Sequence, residues 1–212
     1  EVRQQLAALG IESTPTPFSP WGLRVVGKPS LAGLQPFRDG LVEVQDEGSQ
    51  LLALLVGAVR GEMVADWCAG AGGKTLALAA AMRNSGRLYA FDTGGARLDK
   101  LGARAARAGV GIVHTMQLGE SADGGGGRDE RIERLAGKLD RVLVDAPCSG
   151  LGTLRRQPDL KWRQTEQMLP EMARRQHEIL GNAARLLRRR GRLVYATCSL
   201  LVEENEEVAA AF

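Results

Sequence analysis

Short apolar runs alternate with helix-patterned stretches along most of this chain, and that alternation constrains the fold more than any other feature. Runs that read as buried strands are MVAD (63–66), RLYAFD (87–92), GIVHTM (111–116), RVLVD (141–145) and RLVYAT (192–197). Helical patterns lie between them over Lys74–Met82, Ala96–Ala108, Asp129–Leu135 and Pro170–Arg190. The last carries Met172, Ile179, Leu180, Ala183 and Leu187 on one stripe, with Pro170 placed for a first turn. This order predicts parallel βαβ units, hence an α/β fold with a mostly parallel, doubly wound sheet covered on both faces. Upstream, LVEV (41–44) reads as a further strand, and Ser49 as the cap of a helix running to about Val59. The Pro-rich start, with PTPFSPW (15–21) and a short strand-like LRVV (23–26), reads as an appendage over residues 1–40. Residues 41–212 then form the main domain. DGGGG (123–127) reads as a loop without chemistry.

Several classes are excluded early. The longest apolar run, Leu51 to Val59, stops at Arg60, well short of the ~18 residues of a membrane span. The opening EVRQQLAALG lacks the basic and apolar regions of a secretion signal. Cys68, Cys148 and Cys198 are too few and too far apart for a disulfide scaffold, and they lack the CxxC pairing of structural zinc. His114 and His177 stand alone, so no metal site is expected. A cytoplasmic protein with no membrane partner is predicted, and a monomer is expected. The formal charge of +3 says little, but its distribution says more. Eleven Lys/Arg lie between Leu151 and Arg192 against four acids. That excess fits a polyanionic partner or a solvated helix face.

Ligands of doubly wound sheets bind outside the carboxyl ends of the strands. All three cysteines fall there: Cys68 after MVADW, Cys148 after RVLVDAP and Cys198 after RLVYAT. Single buried cysteines usually act as small apolar filler, which explains three such placements poorly. The stretch DWCAGAGGKT (66–75) joins a strand to a helix. Gly70, Gly72 and Gly73 allow a sharp turn and close approach to a ligand, and the helix start offers free N–H groups.

Two readings of that loop compete. Gly73-Lys74-Thr75 fit the end of a P-loop, with RVLVD imitating a magnesium-holding strand, but Cys68 stands where the first glycine belongs. The other reading is a nucleoside cofactor. Asp92 ends the next strand, 19 residues beyond Gly73, about where a carboxylate receives ribose hydroxyls. A strict G-x-G-x-x-G is absent, so S-adenosylmethionine fits better than a dinucleotide. Enzymes that methylate an exocyclic amine place an aromatic where DAPCSG (145–150) has Cys148, which suggests a different target atom. Carbon 5 of a pyrimidine is a poor nucleophile until a thiolate adds at carbon 6, after which the carbon 5 proton must leave and the thiol be expelled. A second cysteine, Asp145 and Lys74 supply suitable groups, Lys74 by lowering a thiol pKa or holding a carboxylate.

DWCAGAGGKT, DAPCSGLGTLRRQPDLKW and YATCSLLVEENE resemble the cofactor loop and the two cysteine motifs of the RsmB/Nop/Sun family of RNA cytosine-C5 methyltransferases. QDEGSQ (45–50) is similar to the segment opening its catalytic core, and the likeness runs from about Gly40 onward. The resemblance implies a Rossmann-like class I methyltransferase fold that binds S-adenosylmethionine through Cys68, Ala69, Gly70, Ala71, Gly72, Gly73, Lys74, Asp92 and Asp145, with Arg97 facing the cofactor more loosely. It implies Cys198 as nucleophile, Cys148 as aid to product release, Asp145 as a contact to the target cytosine and Lys74 as catalytic auxiliary. The implied partner is RNA, small-subunit rRNA ahead of tRNA, with a single-stranded or flipped target base. The basic stretch from Arg155 to Arg163 then reads as salt-sensitive RNA contact, and Trp162 as a stacking or packing residue. The chain departs from the family in carrying Ala71 where proline is usual. No acid directly follows the third strand, which leaves Glu120 and Asp123 as candidates, and the chain ends soon after EENEE (203–207). The sheet is therefore expected to lack its last strands. A P-loop NTPase and a catalytically idle RNA-binding module remain the alternatives.

Overall fold

A computed structural model describes residues 1–119 and 129–212. The elements follow in chain order as α1 (Val2–Ala8), β1 (Ser13–Pro15), β2 (Leu23–Val25), α2 (Gln35–Arg38), α3 (Glu47–Val56), β3 (Met63–Trp67), α4 (Gly73–Ala81) and β4 (Arg87–Asp92). There follow α5 (Gly95–Arg107), β5 (Val113–Gln117), α6 (Glu130–Glu133), β6 (Leu139–Asp145), α7 (Leu160–Arg163), α8 (Leu169–Ala184), β7 (Leu187–Ala196) and α9 (Glu206–Ala211). Strands β1 and β2 form a small antiparallel pair. The other five form one parallel sheet in the order β5-β4-β3-β6-β7. The order reverses between β3 and β6, so the loops after these two strands flank the crevice where such sheets take ligands.

The central strands β3 and β4 and the second half of β6 are largely apolar because both faces are covered, whereas the edge strands β5 and β7 carry polar residues at exposed positions. On one face Val64, Leu88 and Leu143 pack with Leu78 and Met82 beside α3 residues Ala53 and Val56. On the other, Ala65, Tyr89, Phe91, Val142 and Val144 meet Ile179, Leu180 and Ala183 of α8. Trp67 and Phe91, neighbours in the register of β3 and β4, lie 4.8 Å apart between ring centroids.

Three local expectations are corrected. LVEV (41–44) is not a strand. Its Glu43 instead accepts from Arg104 at 2.9 Å and pairs with Arg107, which ties the segment to α5. Ser49 lies inside α3 rather than at its start. The cap is Asp46, whose carboxylate accepts from Gly48 N at 2.9 Å, and the helix stops at Gly57 in the left-handed region at φ 66°. Finally, α8 ends at Ala184, and Leu187–Arg190 belong to β7. Leu187 pairs with Leu139, the next register pair is Arg141 with Arg192, and the arginines between bulge outward. Leu187 suits a helix stripe and a strand equally well; a partner strand with a buried Leu139 decides between them. Glu120, Asp123 and the DGGGG stretch lie outside the described residues.

Candidate active site

The loop after β3 begins with strain. Cys68 adopts φ 68°, a left-handed conformation uncommon for a residue with a side chain. Two contacts hold it: Ala69 N donates to Phe91 O at 2.8 Å, and Gly70 N donates to Asp92 Oδ2 at 2.8 Å. Gly72 has φ 85°, and a Cβ there would meet Leu101 Cγ at 2.4 Å, so only glycine lets α4 start against α5. Ala71, in place of the family's proline, keeps its carbonyl in the structure by accepting from Arg104 at 2.6 Å. Burial pushes the Cys68 thiol up to about 12, with nearby carboxylates adding to the effect, so it stays neutral.

Asp92 is only 4% exposed and organises the loop. Beyond Gly70, it accepts from Gly94 N at 2.7 Å and from the Arg97 guanidinium at 2.9 and 2.5 Å. Arg97 therefore lies against Asp92 while staying largely exposed. At the end of β5, where an acid is usual for the family, Gln117 donates to Thr93 O at 3.0 Å and its Oε1 lies beside Gly95.

Across the crevice, Lys74 Nζ donates to Asp145 Oδ2 at 2.6 Å, with the two side chains 15% and 32% exposed. Solvent shields such a pair less than one on the open surface. Its neighbour Asp66 is buried outright and receives the Thr75 hydroxyl at 2.6 Å, while its other oxygen has no partner among the described residues. Burial raises the Asp66 carboxyl to about 7, with Asp145 adding repulsion and Thr75 and Lys74 opposing. This arrangement corrects the P-loop alternative. Thr75 is fully buried with its hydroxyl turned to Asp66, so it offers magnesium no ligand.

The two remaining cysteines meet. Cys148 Sγ and Cys198 Sγ lie 3.3 Å apart at the carboxyl ends of adjacent strands β6 and β7. A hydrogen bond links the two thiols, and the Cys198 N–H also lies 3.3 Å from Cys148 Sγ. Cys198 falls below the ordinary thiol value because it receives the Cys148 hydrogen bond, with Lys74 assisting and burial and Asp145 opposing. Cys148, which keeps the proton, is pushed well above it. Cys198 is exposed and so open to a substrate.

The groups beneath this pair carry no chemical motif in the sequence. Glu204, fully buried, accepts from Ser149 N at 2.8 Å, Ser149 Oγ at 2.5 Å and Gln176 Nε2 at 3.0 Å. Gln176 also donates to Pro147 O at 2.9 Å. Gly152 passes so close to the second loop that a Cβ would meet Cys198 O at 2.7 Å. The available signal was the acidic run directly after the Cys198 motif, and its ordinary meaning is a solvated helix start. Trp162 is 80% exposed on α7, with Lys161 Nζ 4.8 Å from its ring centroid. Gln164, just after α7, donates to Ser149 O at 2.9 Å, which anchors that helix to the Cys148 loop.

Known proteins share this chain's sequence and geometry. It is 38% identical over 207 residues to a probable ribosomal RNA small subunit methyltransferase B of Synechocystis, covering 97% of this chain and 45% of that protein. It thus spans about half the length of such relatives. The solved structure of PH0851 superposes with a TM-score of 0.91 at 34% identity, covering 100% of this chain and 46% of the other. The NSun6 structure from Pyrococcus horikoshii, solved with SFG, gives 0.75 at 31% identity over 90% of this chain and 47% of its own. The family model described as 16S rRNA methyltransferase RsmB/F matches residues 53–212, and the chain belongs to that family.

Proposed function

We propose that this chain carries the catalytic core of an S-adenosylmethionine-dependent enzyme that methylates carbon 5 of a cytosine in small-subunit rRNA. The observation that carries the reading is the thiol pair, 3.3 Å apart beside the Lys74–Asp145 ion pair. Transfer to an exocyclic amine has no use for two thiols, whereas carbon 5 chemistry needs one to add and benefits from one that assists departure.

The residues present suit the cofactor. A Cβ on Gly70 would meet nothing within 4 Å, so space lies open over the loop. The first N–H groups of α4 have no intrahelical partner and favour an anionic carboxylate. Asp92 would receive ribose hydroxyls once the exposed Arg97 guanidinium, which now covers its Oδ1, turns aside. SFG, carried by the NSun6 neighbour, is an analogue of S-adenosylmethionine, which supports the same assignment here. Bound there, the cofactor supplies an electrophilic methyl group.

The protein's own groups do the rest. The Cys198 thiolate forms a bond to carbon 6, which makes carbon 5 nucleophilic. Asp145, held by Lys74, contacts the base at its ring nitrogen edge. After methylation the carbon 5 proton passes to solvent, its electron pair restores the 5,6 double bond, and the C6–S bond breaks to return the thiolate. Cys148, touching the departing sulfur, assists that release. Tied to the Cys148 loop through Gln164, the segment with exposed Arg155, Lys161 and Trp162, and with Arg163 paired to Asp159, offers basic groups and one aromatic face suited to an unpaired strand.

Two measurements test the reading. Excess S-adenosylhomocysteine, at about 100 times its dissociation constant, is expected to stabilise the fold by about 2.7 kcal/mol in a thermal shift, with Mg-ATP inert. RNA carrying tritium on cytosine carbon 5 is expected to release one tritium per methyl gained; methylation without release would place the methyl elsewhere and overturn the proposal. At the rim, Trp162→Ala is expected to weaken binding of a single-stranded cytidine-containing oligonucleotide between about 5- and 150-fold, with Trp162→Phe nearer the unmodified chain. Fluorescence anisotropy against salt reads this directly, and an affinity unchanged from the unmodified chain in both variants would remove Trp162 from the RNA contact.

A further inference from the structure

Glu204 is a carboxylate with no access to solvent, set one layer beneath the two thiols. It contributes nothing to the chemistry above, yet its contacts reach both cysteine loops. From the Cys148 side, Ser149 gives it a backbone N–H at 2.8 Å and its hydroxyl at 2.5 Å. The single Ser149 proton is thereby committed to Glu204, so the Ser149 oxygen must accept from Ser199 Oγ, 3.0 Å away, on the Cys198 side. Ser199 Oγ in turn accepts from Leu201 N at 3.1 Å. The result is a one-way chain, from Leu201 N–H through Ser199 and Ser149, ending on an acceptor that cannot donate. From α8, Gln176 joins the same carboxylate to Pro147 O.

We propose that Glu204 is a positioning residue: through Ser149 and Ser199 its buried carboxylate holds the Cys148 and Cys198 loops together and sets the separation of their sulfurs. An amide in its place puts an N–H₂ group against donors and breaks the chain's direction, at the cost of an unsatisfied buried group. Burial pushes the Glu204 carboxyl up, but hydrogen bonds from Ser149 and Gln176, with Ser199 close behind, outweigh it and leave the carboxyl below its ordinary range. It is therefore ionised wherever the enzyme works. The consequence reaches Cys198 because its ionisation depends on the Cys148 hydrogen bond, with Lys74 and Asp145 as the charged neighbours. Parting the loops removes that bond.

This inference rests on Cys148 and Cys198 being the reacting pair, but its test needs neither RNA nor cofactor. Iodoacetamide alkylation of Cys198 is followed against pH by peptide mass in the unmodified chain, Glu204→Gln and Ser199→Ala. In the unmodified chain the midpoint is expected at about 7, and full separation returns it to the ordinary 9.0. At pH 7 the thiolate fraction then falls about fiftyfold while its intrinsic nucleophilicity rises about eightfold, for a net loss of about sixfold. Ser199→Ala, which cuts the bridge and leaves Glu204 its donors Ser149 and Gln176, is expected to move the midpoint the same way by less. If Glu204→Gln fails to fold, Ser199→Ala alone decides. Midpoints equal to that of the unmodified chain, whatever the change in melting temperature, overturn the proposal and leave Glu204 as fold support. Failure of the methyltransferase reading shows separately, as absent tritium release from the unmodified chain.

Discussion

Cys198→Ala is expected to lower methyl transfer on the order of 10⁴-fold or more, the scale on which removal of a covalent nucleophile is felt. Cofactor binding should survive, because Cys198 lies on the β7 side of the crevice and the cofactor loop follows β3. The stabilisation by S-adenosylhomocysteine therefore separates lost chemistry from lost fold. Cys148→Ala has a different signature. Addition at carbon 6 and methylation proceed, but release is impaired, so an RNA–protein adduct should accumulate and survive a denaturing gel. The double variant should form none. Because Cys148 supplies the hydrogen bond that lowers Cys198, the single variant should also form its adduct more slowly below pH 8. An adduct in Cys198→Ala and none in Cys148→Ala would exchange the two roles. Full activity in Cys198→Ala would discard covalent catalysis.

Asp66 gives the second large effect, on stability. Its carboxyl titrates near 7 in the fold against an ordinary 3.8, so the native state holds a proton that the unfolded chain has lost across that interval. Stability consequently falls as pH rises from about 4 to about 7 and is flat above, a total of about 4 kcal/mol at 1.36 kcal/mol for each pH unit. Asp66→Asn has no charge to expel. It keeps an oxygen for Thr75 and places its amide where the carboxylate already lacks a partner. The variant's advantage over the unmodified chain is expected to grow by up to about 4 kcal/mol between pH 4 and pH 8. Thermal denaturation at those two values reads it as several degrees. Curves that stay parallel across the range would mean that Asp66 is ionised throughout, with Lys74 compensating its burial.

Much of this architecture is legible in the residues. The five strands of the sheet were each recognisable from short apolar runs, which in the central strands β3, β4 and β6 follow from cover on both faces. The loop from Cys68 to Lys74 was legible because sharp turns demand glycine at particular places, and Gly72 occupies one of them. Where two structures satisfy the same local pattern, legibility ended. Leu187 continues a helical stripe and also fits beside Leu139, and LVEV alternates as a strand would although Arg104 and Arg107 hold its Glu43 instead.

The candidate site divides in the same way. That three cysteines and two aspartates stand at strand ends follows from order along the chain and from the rule that parallel strands open their carboxyl ends to ligands. That Cys148 touches Cys198, that Lys74 reaches Asp145 across 71 residues, and that Glu204 lies beneath both thiols does not. Strand order places β6 beside β7 and β3, and no local pattern encodes strand order. Local periodicity reports what each segment buries, because burial is repaid residue by residue. Which carboxylate meets which ammonium, and which thiol yields its proton, is decided only when distant segments close to within a hydrogen bond, where low solvent access makes a few tenths of an ångström count.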